Sequence, residues 1–225
     1  METLNEYGDL YKKTTGIHGA DISSQRMDDL DKKCLMFALN LQNDDTKISV
    51  DLGAGFGSQS LKLALIGIEA HMYDILDVSK EIEQLKQLLQ IHNLYFHKKD
   101  IGQEDFSILK PIDLVYSQRF IHYLPYATAR LLAQNVYKKL KIGGRVFISA
   151  SGINTELSTD YRGKEVPVQM RYFPLSQSMR EKHGISTDVC LYSKEELSDL
   201  FCSNGFKEIQ VWESGFKNIK AIFEK

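Results

Sequence analysis

Residues Val50–Ser60 read VDLGAGFGSQS and place three glycines at alternate positions directly after an apolar run. The segment KISVDL that leads into them is rich in β-branched and apolar residues, which indicates a strand, and SQSLKLAL after them reads as a short helix. A glycine-rich turn between a strand and a helix lets the backbone approach a ligand closely, and it is typical of nucleotide sites. The stretch therefore predicts an α/β fold with a nucleotide-like ligand at this turn.

Two common glycine turns match this stretch poorly. A phosphate-binding loop requires a lysine followed by serine or threonine, and neither stands in the required place after Gly57. A dinucleotide turn requires its third glycine where this chain has Ser58, and its diphosphate would lie unfavourably close to the carboxylate of Asp51. The acidic residue before the glycines favours a ligand that carries positive charge. A nicotinamide dinucleotide, with Ser58 in place of the third glycine, stays open as an alternative.

Strand patterns recur along the rest of the chain. They occupy AHMYD, LYFHKKD, IDLVYS, GGRVFISAS, FKEIQVWE and KNIKAIFEK. Helix patterns separate most of them, so the alternation predicts a largely parallel sheet with right-handed connections and helices on both faces. The short link around Gly215 predicts that the last two strands form an antiparallel hairpin.

Helix starts are marked by capping residues. Ser79 is a predicted cap of one helix, and Ser193 with Glu196 forms a capping box that opens another. Before the first strand, apolar residues recur at steps of three and four from Met27 to Leu41, which predicts an amphipathic helix. Its predicted cap is one of the two serines at positions 23 and 24.

We predict a single domain over residues 1–225, because the length suits one domain of above-average size. Residues 1–45 are predicted to form an N-terminal helical or lid segment. Residues 152–190 interrupt the alternation and have no clear period, and long segments of this kind inside a domain are usually functional lids or disordered. We therefore interpret 152–190 as an insertion that covers a substrate.

Composition excludes several classes of partner. The net charge of −2 and the lack of a basic stripe argue against nucleic acid, and no apolar run reaches the length of a membrane span. The three cysteines are far apart and form no CxxC pair, so no metal site is predicted. The polar N-terminus lacks the apolar core of a signal peptide, which predicts a cytoplasmic protein. We expect it to be a monomer or a homodimer.

The motifs, taken in order, resemble those of the class I S-adenosylmethionine-dependent methyltransferases. The segment DLGAGFG matches the first motif of that family, AHMYDI and KKDI supply acidic residues at the next two strand ends, and YSQRFIHYLP resembles the stretch after the fourth strand. The resemblance covers roughly residues 47–151 and 191–225. It implies a Rossmann-like, open, seven-stranded sheet of order 3-2-1-4-5-7-6, in which strand 7 is antiparallel.

The resemblance also implies S-adenosyl-L-methionine as cofactor, with S-adenosyl-L-homocysteine as the product. Asp51 would then hold the cofactor's ammonium group, and Asp74 would bind both ribose hydroxyls, for which a carboxylate is well suited. Asp77, which lies past the strand end, is the weaker candidate for the ribose. The full set of implied cofactor residues is Tyr11, Arg26, Asp51, Gly53, Ala54, Gly55, Gly57, Asp74, Ile75, Asp100, Ile101, Ser117 and Gln118.

The predicted reaction is methyl transfer to a small-molecule acceptor, an in-line displacement that requires a base if the nucleophile is a hydroxyl or an ammonium. His122 and His18 are candidate bases, although packing explains the first and an exposed loop the second. Candidate acceptor contacts in 152–190 are Tyr161, Arg171, Tyr172 and His183. A solvated lid of mixed charge explains this segment equally well. The alternatives are a nicotinamide-dependent oxidoreductase and a non-catalytic module that binds the cofactor.

Overall fold

The computed structural model describes residues 27–41, 45–103, 106 and 109–225. Within these ranges the strands are β1 (Ile48–Leu52), β2 (Glu69–Asp74), β3 (Leu94–Lys98), β4 (Ile112–Gln118), β5 (Leu140–Ala150), β6 (Lys207–Glu213) and β7 (Ile219–Glu224). They form one open sheet of order β3-β2-β1-β4-β5-β7-β6. Strand β7 runs antiparallel to β5 and to β6, and the other pairs are parallel. The predicted fold class and strand order are confirmed.

Helices cover both faces of the sheet. They are α1 (Asp29–Leu39), α2 (Ser58–Leu65), α3 (Ser79–Leu89), α4 (Tyr126–Lys139), α5 (Gln177–His183) and α6 (Lys194–Cys202). One apolar cluster joins α1, α2 and α3 to the sheet, and a second cluster joins α4 and α6 to its other face. Successive side chains of β1 point to opposite faces of the sheet. Val50 and Leu52 belong to the second cluster, and Asp51 points to the other face, where it accepts a hydrogen bond from Ser60 of α2.

Two helix starts differ from the predicted ones. Asp28 caps α1, since its side chain accepts hydrogen bonds from the amides of Leu30 and Asp31, and the two serines at 23 and 24 lie outside the described residues. Ser79 is the first residue of α3 and makes no side-chain cap. The Asp77 carboxylate takes that role by accepting the Ser79 amide (3.2 Å) and hydroxyl (2.7 Å). An aspartate placed before the helix reaches its first free amides, as serine would.

The capping box of α6 is confirmed. The Ser193 side chain accepts from the Glu196 amide, and the Glu196 carboxylate accepts from the Ser193 amide. The predicted antiparallel hairpin is confirmed as well, with β6 and β7 paired from Lys207 opposite Glu224 to Glu213 opposite Ile219. Hydrogen bonds between neighbouring residues fix both features, which is why short motifs predict them.

Segment 152–190 is built from 3-10 turns, the short helix α5 and two isolated bridges. It has an apolar cluster of its own that includes Leu157, Tyr161, Leu175 and Val189. Short 3-10 turns change direction every few residues, so no long period arises in the sequence. The segment continues over the site end of the sheet, because the Tyr172 hydroxyl donates to the Tyr123 carbonyl after β4 (3.1 Å).

Gly57 is a position where the fold requires glycine, and we expect Gly57→Ala to destabilise the protein by about 2–3 kcal/mol. Its φ is +71°, and an added Cβ would lie 2.6 Å from the sulfur of the fully buried Met72. Gly143→Ala is the matched control, because φ there is +76° but no heavy atom lies within 4 Å of the added Cβ. Urea denaturation of both variants separates backbone strain from overpacking, and equal losses would contradict the packing argument.

No helix in the described part of the chain is both long enough and apolar enough to cross a membrane.

Candidate cofactor site

The glycine turn is fastened to the end of β2. The amides of Gly53 and Ala54 donate to the Tyr73 carbonyl at 2.9 and 3.1 Å, and the Gly55 amide donates to the Asp74 carboxylate at 2.7 Å. The Leu76 amide donates to the other oxygen of Asp74 at 2.8 Å. Asp74 therefore fixes the turn in place before any ligand arrives, and the carboxyl ends of β1 and β2 form one preorganised edge.

Gly53 is covered by the chain that follows β4. Its φ is +67°, and a Cβ built on it would lie 2.5 Å from the ring of Phe120. The residues after β4 therefore pack directly on the glycine turn. This close approach is possible because glycine has no side chain there.

Asp51 is a buried carboxylate without a cation beside it. It is 4% exposed, and the Ser60 hydroxyl donates to it at 2.7 Å. Among the residues that the structure describes, no lysine or arginine forms an ion pair with it. Burial, together with the charges of Asp74 and Asp31, raises the pKa of Asp51 from 3.8 to about 7, although the Ser60 bond acts in the opposite direction.

A polar pocket lies beside Asp51, which we call the acidic pocket. It is lined by Asp31, Asp51, Gly53, Ala54, Ser58, Gln59, Lys62, Tyr116 and Gln118. The pocket lies where α1, α2 and the carboxyl ends of β1 and β4 meet. Of the predicted cofactor residues, the structure brings Asp51, Gly53, Ala54 and Gln118 together in it.

Asp31 is a pocket residue that the sequence analysis missed. It is 1% exposed, it completes the capping box of α1 with Asp28, and it accepts a hydrogen bond from the Tyr116 hydroxyl. Burial raises its pKa in the same direction as that of Asp51. The sequence did contain a sign of this role, because Asp31 is an acidic residue next to Leu30 and near Cys34 on the apolar face of the predicted helix.

Gln59 and Lys62, both on α2, also had no sequence prediction. The Gln59 amide nitrogen donates to the Asp31 carbonyl at 3.2 Å, while its buried oxygen, Oε1, has no hydrogen-bond partner within the described ranges. Lys62 places a positive charge beside Asp31, which acts to lower the pKa of that carboxyl. The pocket thus offers acceptors on one side and a cation on the other.

Ser117 and Gln118 end β4 next to this pocket. The buried Ser117 hydroxyl donates to the Leu52 carbonyl at 3.0 Å, and the Gln118 amide donates to the Asp28 carboxylate at 2.7 Å. Asp28 also accepts from Lys220 of β7 at 2.7 Å. Side chains from β4 and β7 therefore hold the start of α1, the helix that carries Asp31.

Ile75, Asp100 and Ile101 lie beyond β2 and β3. Ile75 is 58% exposed, Ile101 is buried, and the exposed Asp100 accepts a hydrogen bond from the Gly102 amide at 3.0 Å. The structure places them at the ends of neighbouring strands but not among the residues of the acidic pocket. A cofactor extending from the pocket past Asp74 would pass along this edge.

His122 is fully buried in a 3-10 turn after β4. Its Nδ1 accepts from the Ser151 amide and its Nε2 lies 3.3 Å from the Ser151 hydroxyl, while its carbonyl accepts the Cys190 amide at 2.7 Å. These contacts connect β4, β5 and the end of segment 152–190. His122 therefore holds the chain after β4 against Ser151 and Cys190, and its role as a base stays a prediction.

The predicted acceptor residues of segment 152–190 occupy different positions. The buried Tyr161 hydroxyl donates to the Val189 carbonyl at 2.6 Å, and the Arg171 guanidinium donates to the carbonyls of Gly163, Val166 and Leu191 and to the Glu196 carboxylate. The Tyr161 hydroxyl and the Arg171 guanidinium thus form hydrogen bonds inside or next to the segment. For Arg171 this is expected, because a buried guanidinium is costly unless its donors are paired. Tyr172 and His183 are only partly buried; the Tyr172 hydroxyl donates to the Tyr123 carbonyl after β4, and His183 lies 3.0 Å from Glu156.

Three predicted residues, Tyr11, His18 and Arg26, lie outside the described residues. Within the described ranges no group of three or more His, Cys, Asp or Glu side chains is arranged to hold a metal ion.

The residues present fit S-adenosylmethionine. Its ammonium and sulfonium carry positive charge, which the buried carboxylate of Asp51 and the orphaned oxygen of Gln59 would accept. Lys62 is positioned in the same pocket to attract the cofactor's carboxylate. A pyrophosphate has no such match, because Asp51 and Asp31 would repel it.

Comparison with known proteins gives one family match. The family described as "Tellurite resistance protein TehB" matches residues 43–173. Among curated proteins, phosphoethanolamine N-methyltransferase 1 of Arabidopsis thaliana is 29% identical over 178 residues, which cover 75% of this chain and 35% of that protein. The chain thus spans about a third of the length of that relative.

Solved structures share the fold. Magnesium protoporphyrin IX methyltransferase of Synechocystis PCC 6803, bound to SAH, has a TM-score of 0.62 and 15% identity, with 90% of this chain and 83% of that chain covered. The 1,6-didemethyltoxoflavin-N1-methyltransferase of Burkholderia thailandensis, bound to 1,6-didemethyltoxoflavin and S-adenosylhomocysteine, has a TM-score of 0.65 and 14% identity, with 91% and 79% covered. With its strand order, its glycine turn and the family match over residues 43–173, this chain belongs to the TehB family of class I S-adenosylmethionine-dependent methyltransferases.

Proposed function

We propose that this chain transfers the methyl group of S-adenosylmethionine to a small-molecule acceptor. The observation that carries the proposal is Asp51, a buried carboxylate with no cationic partner in the described chain, next to a glycine turn that Asp74 holds. A cationic ligand would neutralise it. The two structural neighbours described above, by their names, methylate a protoporphyrin and a didemethyltoxoflavin, which supports a small acceptor.

When bound, the cofactor would supply an electrophilic methyl on its sulfonium. Asp51 and Asp31 would hold its ammonium end, and Lys62 would attract its carboxylate. Asp74 would orient the ribose, while Asp100 and Ile101 would lie along the adenine. Phe120 on Gly53 and Tyr172 on Tyr123 would limit the access of water to this edge of the sheet.

The test begins with binding. Purified protein is titrated with S-adenosylmethionine, S-adenosylhomocysteine and NAD, and binding is followed by calorimetry. We expect both sulfur compounds to bind and NAD not to bind. Binding of NAD alone would favour the oxidoreductase. Transfer of labelled methyl is then measured on amines, thiols, hydroxyl compounds and tellurite, which the family name suggests. Tight binding without transfer to any of them would support the non-catalytic alternative.

Asp74→Ala is expected to weaken S-adenosylmethionine binding by about tenfold or more, because hydrogen bonds to a charged group are lost at both the ligand and the Gly55 amide. Asp77→Ala is the matched control. That carboxylate lies three residues further on, is bonded to Ser79 and Lys98, and has no contact with the glycine turn. Calorimetric titration of both variants gives the comparison, and equal affinities would remove Asp74 from the site.

A further inference from the structure

Arg119, the first residue after β4, has an unusual backbone. Its φ is +54°, in the left-handed region, and its amide donates to both the carbonyl (3.1 Å) and the hydroxyl (3.0 Å) of Ser149 on β5. A non-glycine residue in this conformation costs about 1 kcal/mol or more. The sheet therefore holds the backbone of Arg119 in a strained turn, which fixes where the side chain leaves the backbone.

The turn lies between the cofactor edge and segment 152–190. Gln118 before it lines the acidic pocket, and Phe120 after it covers Gly53. Burial raises the pKa of Tyr123 after β4 and lowers the pKa of His183 of α5, and the charge of Arg119 is a smaller contribution that acts to lower both. Arg119 thus lies in the chain between the glycine turn, which Phe120 covers, and Tyr123, whose carbonyl accepts from Tyr172 of segment 152–190.

Arg119 has no anionic partner among the residues that the structure describes. The two other described arginines that are not exposed are paired: Arg145 with Glu224, and Arg171 with Glu196 and three carbonyls. Glu156, the carboxylate that faces His183, is already paired with Lys182 at 2.5 Å and lies 3.0 Å from His183. Arg119 is partly buried, and its charge is left available to a ligand.

Charge is also separated across this edge of the sheet. Asp31, Asp51 and Asp74 lie on the side of the glycine turn, and Arg119 lies on the side of segment 152–190. On the first side the described carboxylates outnumber the one described cation, Lys62, so an anionic group on the methyl acceptor is favoured on the second side. The planar guanidinium also matches carboxylate and phosphate oxygens in pairs.

We propose that Arg119 binds an anionic group, a carboxylate or a phosphate, on the methyl acceptor. The acceptor would enter between β4 and segment 152–190, with its anion at Arg119 and its nucleophile directed to the glycine-turn side. This inference rests on the proposed methyl transfer. It gives the acceptor a charge, which neither the family nor the fold specifies.

The experiment uses the full chain saturated with S-adenosylhomocysteine, at constant ionic strength. Inorganic phosphate and acetate are the probes, and their binding is followed by NMR of the arginine Nε–H and backbone amide signals. We expect saturable binding of at least one probe, weakened about tenfold or more in Arg119→Met. Arg162→Met is the matched control, because Arg162 is an exposed arginine of segment 152–190 that lies over the Phe173 ring. The probe that binds more tightly identifies the anion.

Arg119→Gly separates binding from folding. Glycine tolerates the left-handed turn, so this variant should be at least as stable as the wild type in urea while losing the probe. No saturable binding of either probe to the wild type, or equal binding to Arg119→Met, would overturn the proposal. Loss of S-adenosylhomocysteine binding in Arg119→Met would overturn it too, by assigning Arg119 to the cofactor. Failure of the wild type to bind S-adenosylhomocysteine would instead count against methyl transfer itself.

Discussion

Asp51→Asn is expected to weaken S-adenosylmethionine binding by about 10- to 100-fold and, at the same time, to stabilise the cofactor-free protein above pH 7. The first effect follows from loss of the negative charge that faces the ammonium. The second follows from removal of a buried charge that has no cationic partner in the described chain. Opposite changes in affinity and stability are characteristic of a residue retained for binding.

The pH dependence of Asp51 has a definite sign. Its pKa is about 7 in the folded protein and 3.8 in its ordinary state, so between these values the folded state holds a proton that the unfolded state has lost. The contribution of Asp51 to wild-type stability is therefore expected to fall as pH rises from about 4 to 7, by up to about 4 kcal/mol. Asp51→Asn removes this slope.

Cofactor affinity should change in the opposite direction. Below pH 7 Asp51 is increasingly protonated and neutral, so wild-type affinity is expected to fall by up to about tenfold per pH unit. Calorimetry between pH 5.5 and 7.5 in buffers of different ionisation enthalpy measures both the affinity and the proton released on binding. An affinity in the wild type as flat with pH as in Asp51→Asn would contradict the assignment.

Asp113→Asn is the matched control for Asp51→Asn. Asp113 is also a buried carboxylate, at the opposite end of the parallel strands, where it accepts from the Ile48 amide and pairs with Lys141 at 2.8 Å. Because this charge has partners, its removal should destabilise the protein and leave cofactor affinity unchanged.

Among changes far in sequence from the glycine turn, Lys220→Met is expected to lower the unfolding free energy the most. Lys220 is 7% exposed and pairs with Asp28 at 2.7 Å and with Asp29, which the Trp212 indole also contacts at 2.8 Å. Loss of the lysine leaves carboxylates at the start of α1 without their cation. We expect a loss of about 2–3 kcal/mol in unfolding free energy, less than for a fully buried pair because both aspartates are partly exposed.

The same substitution should weaken cofactor binding, because Asp28 also holds Gln118 and α1 carries Asp31 into the acidic pocket. Lys141→Met is the control, since it breaks the Asp113 pair at the far edge of the sheet. Urea denaturation and calorimetry on the two variants, with Lys220→Arg as the conservative change, measure both effects. If Lys141→Met weakened cofactor binding as much as Lys220→Met, the effect would come from stability alone and not from the position of α1.

The residues at strand ends were predictable from the sequence. Asp51 and Asp74 stand at the carboxyl ends of two strand patterns, and in a parallel sheet the carboxyl ends of neighbouring strands meet at one edge. The hairpin followed from the short link around Gly215, and the strand order followed from the family resemblance. Asp31, Gln59 and Lys62 were not predicted, because the helices before and after β1 were recognised only by the spacing of their apolar residues.

Local sequence thus determined the glycine turn, the acid before it and the acid on the next strand, because each depends on residues a few positions apart. Only the tertiary structure decided what surrounds them. Lys220 meets Asp28 across 192 positions, and Phe120 reaches Gly53 only because β4 lies beside β1. Burial then raised the pKa of Asp51 and left Arg119 without an anionic partner in the described chain, since both depend on which charges the fold brings near and no residue type encodes that.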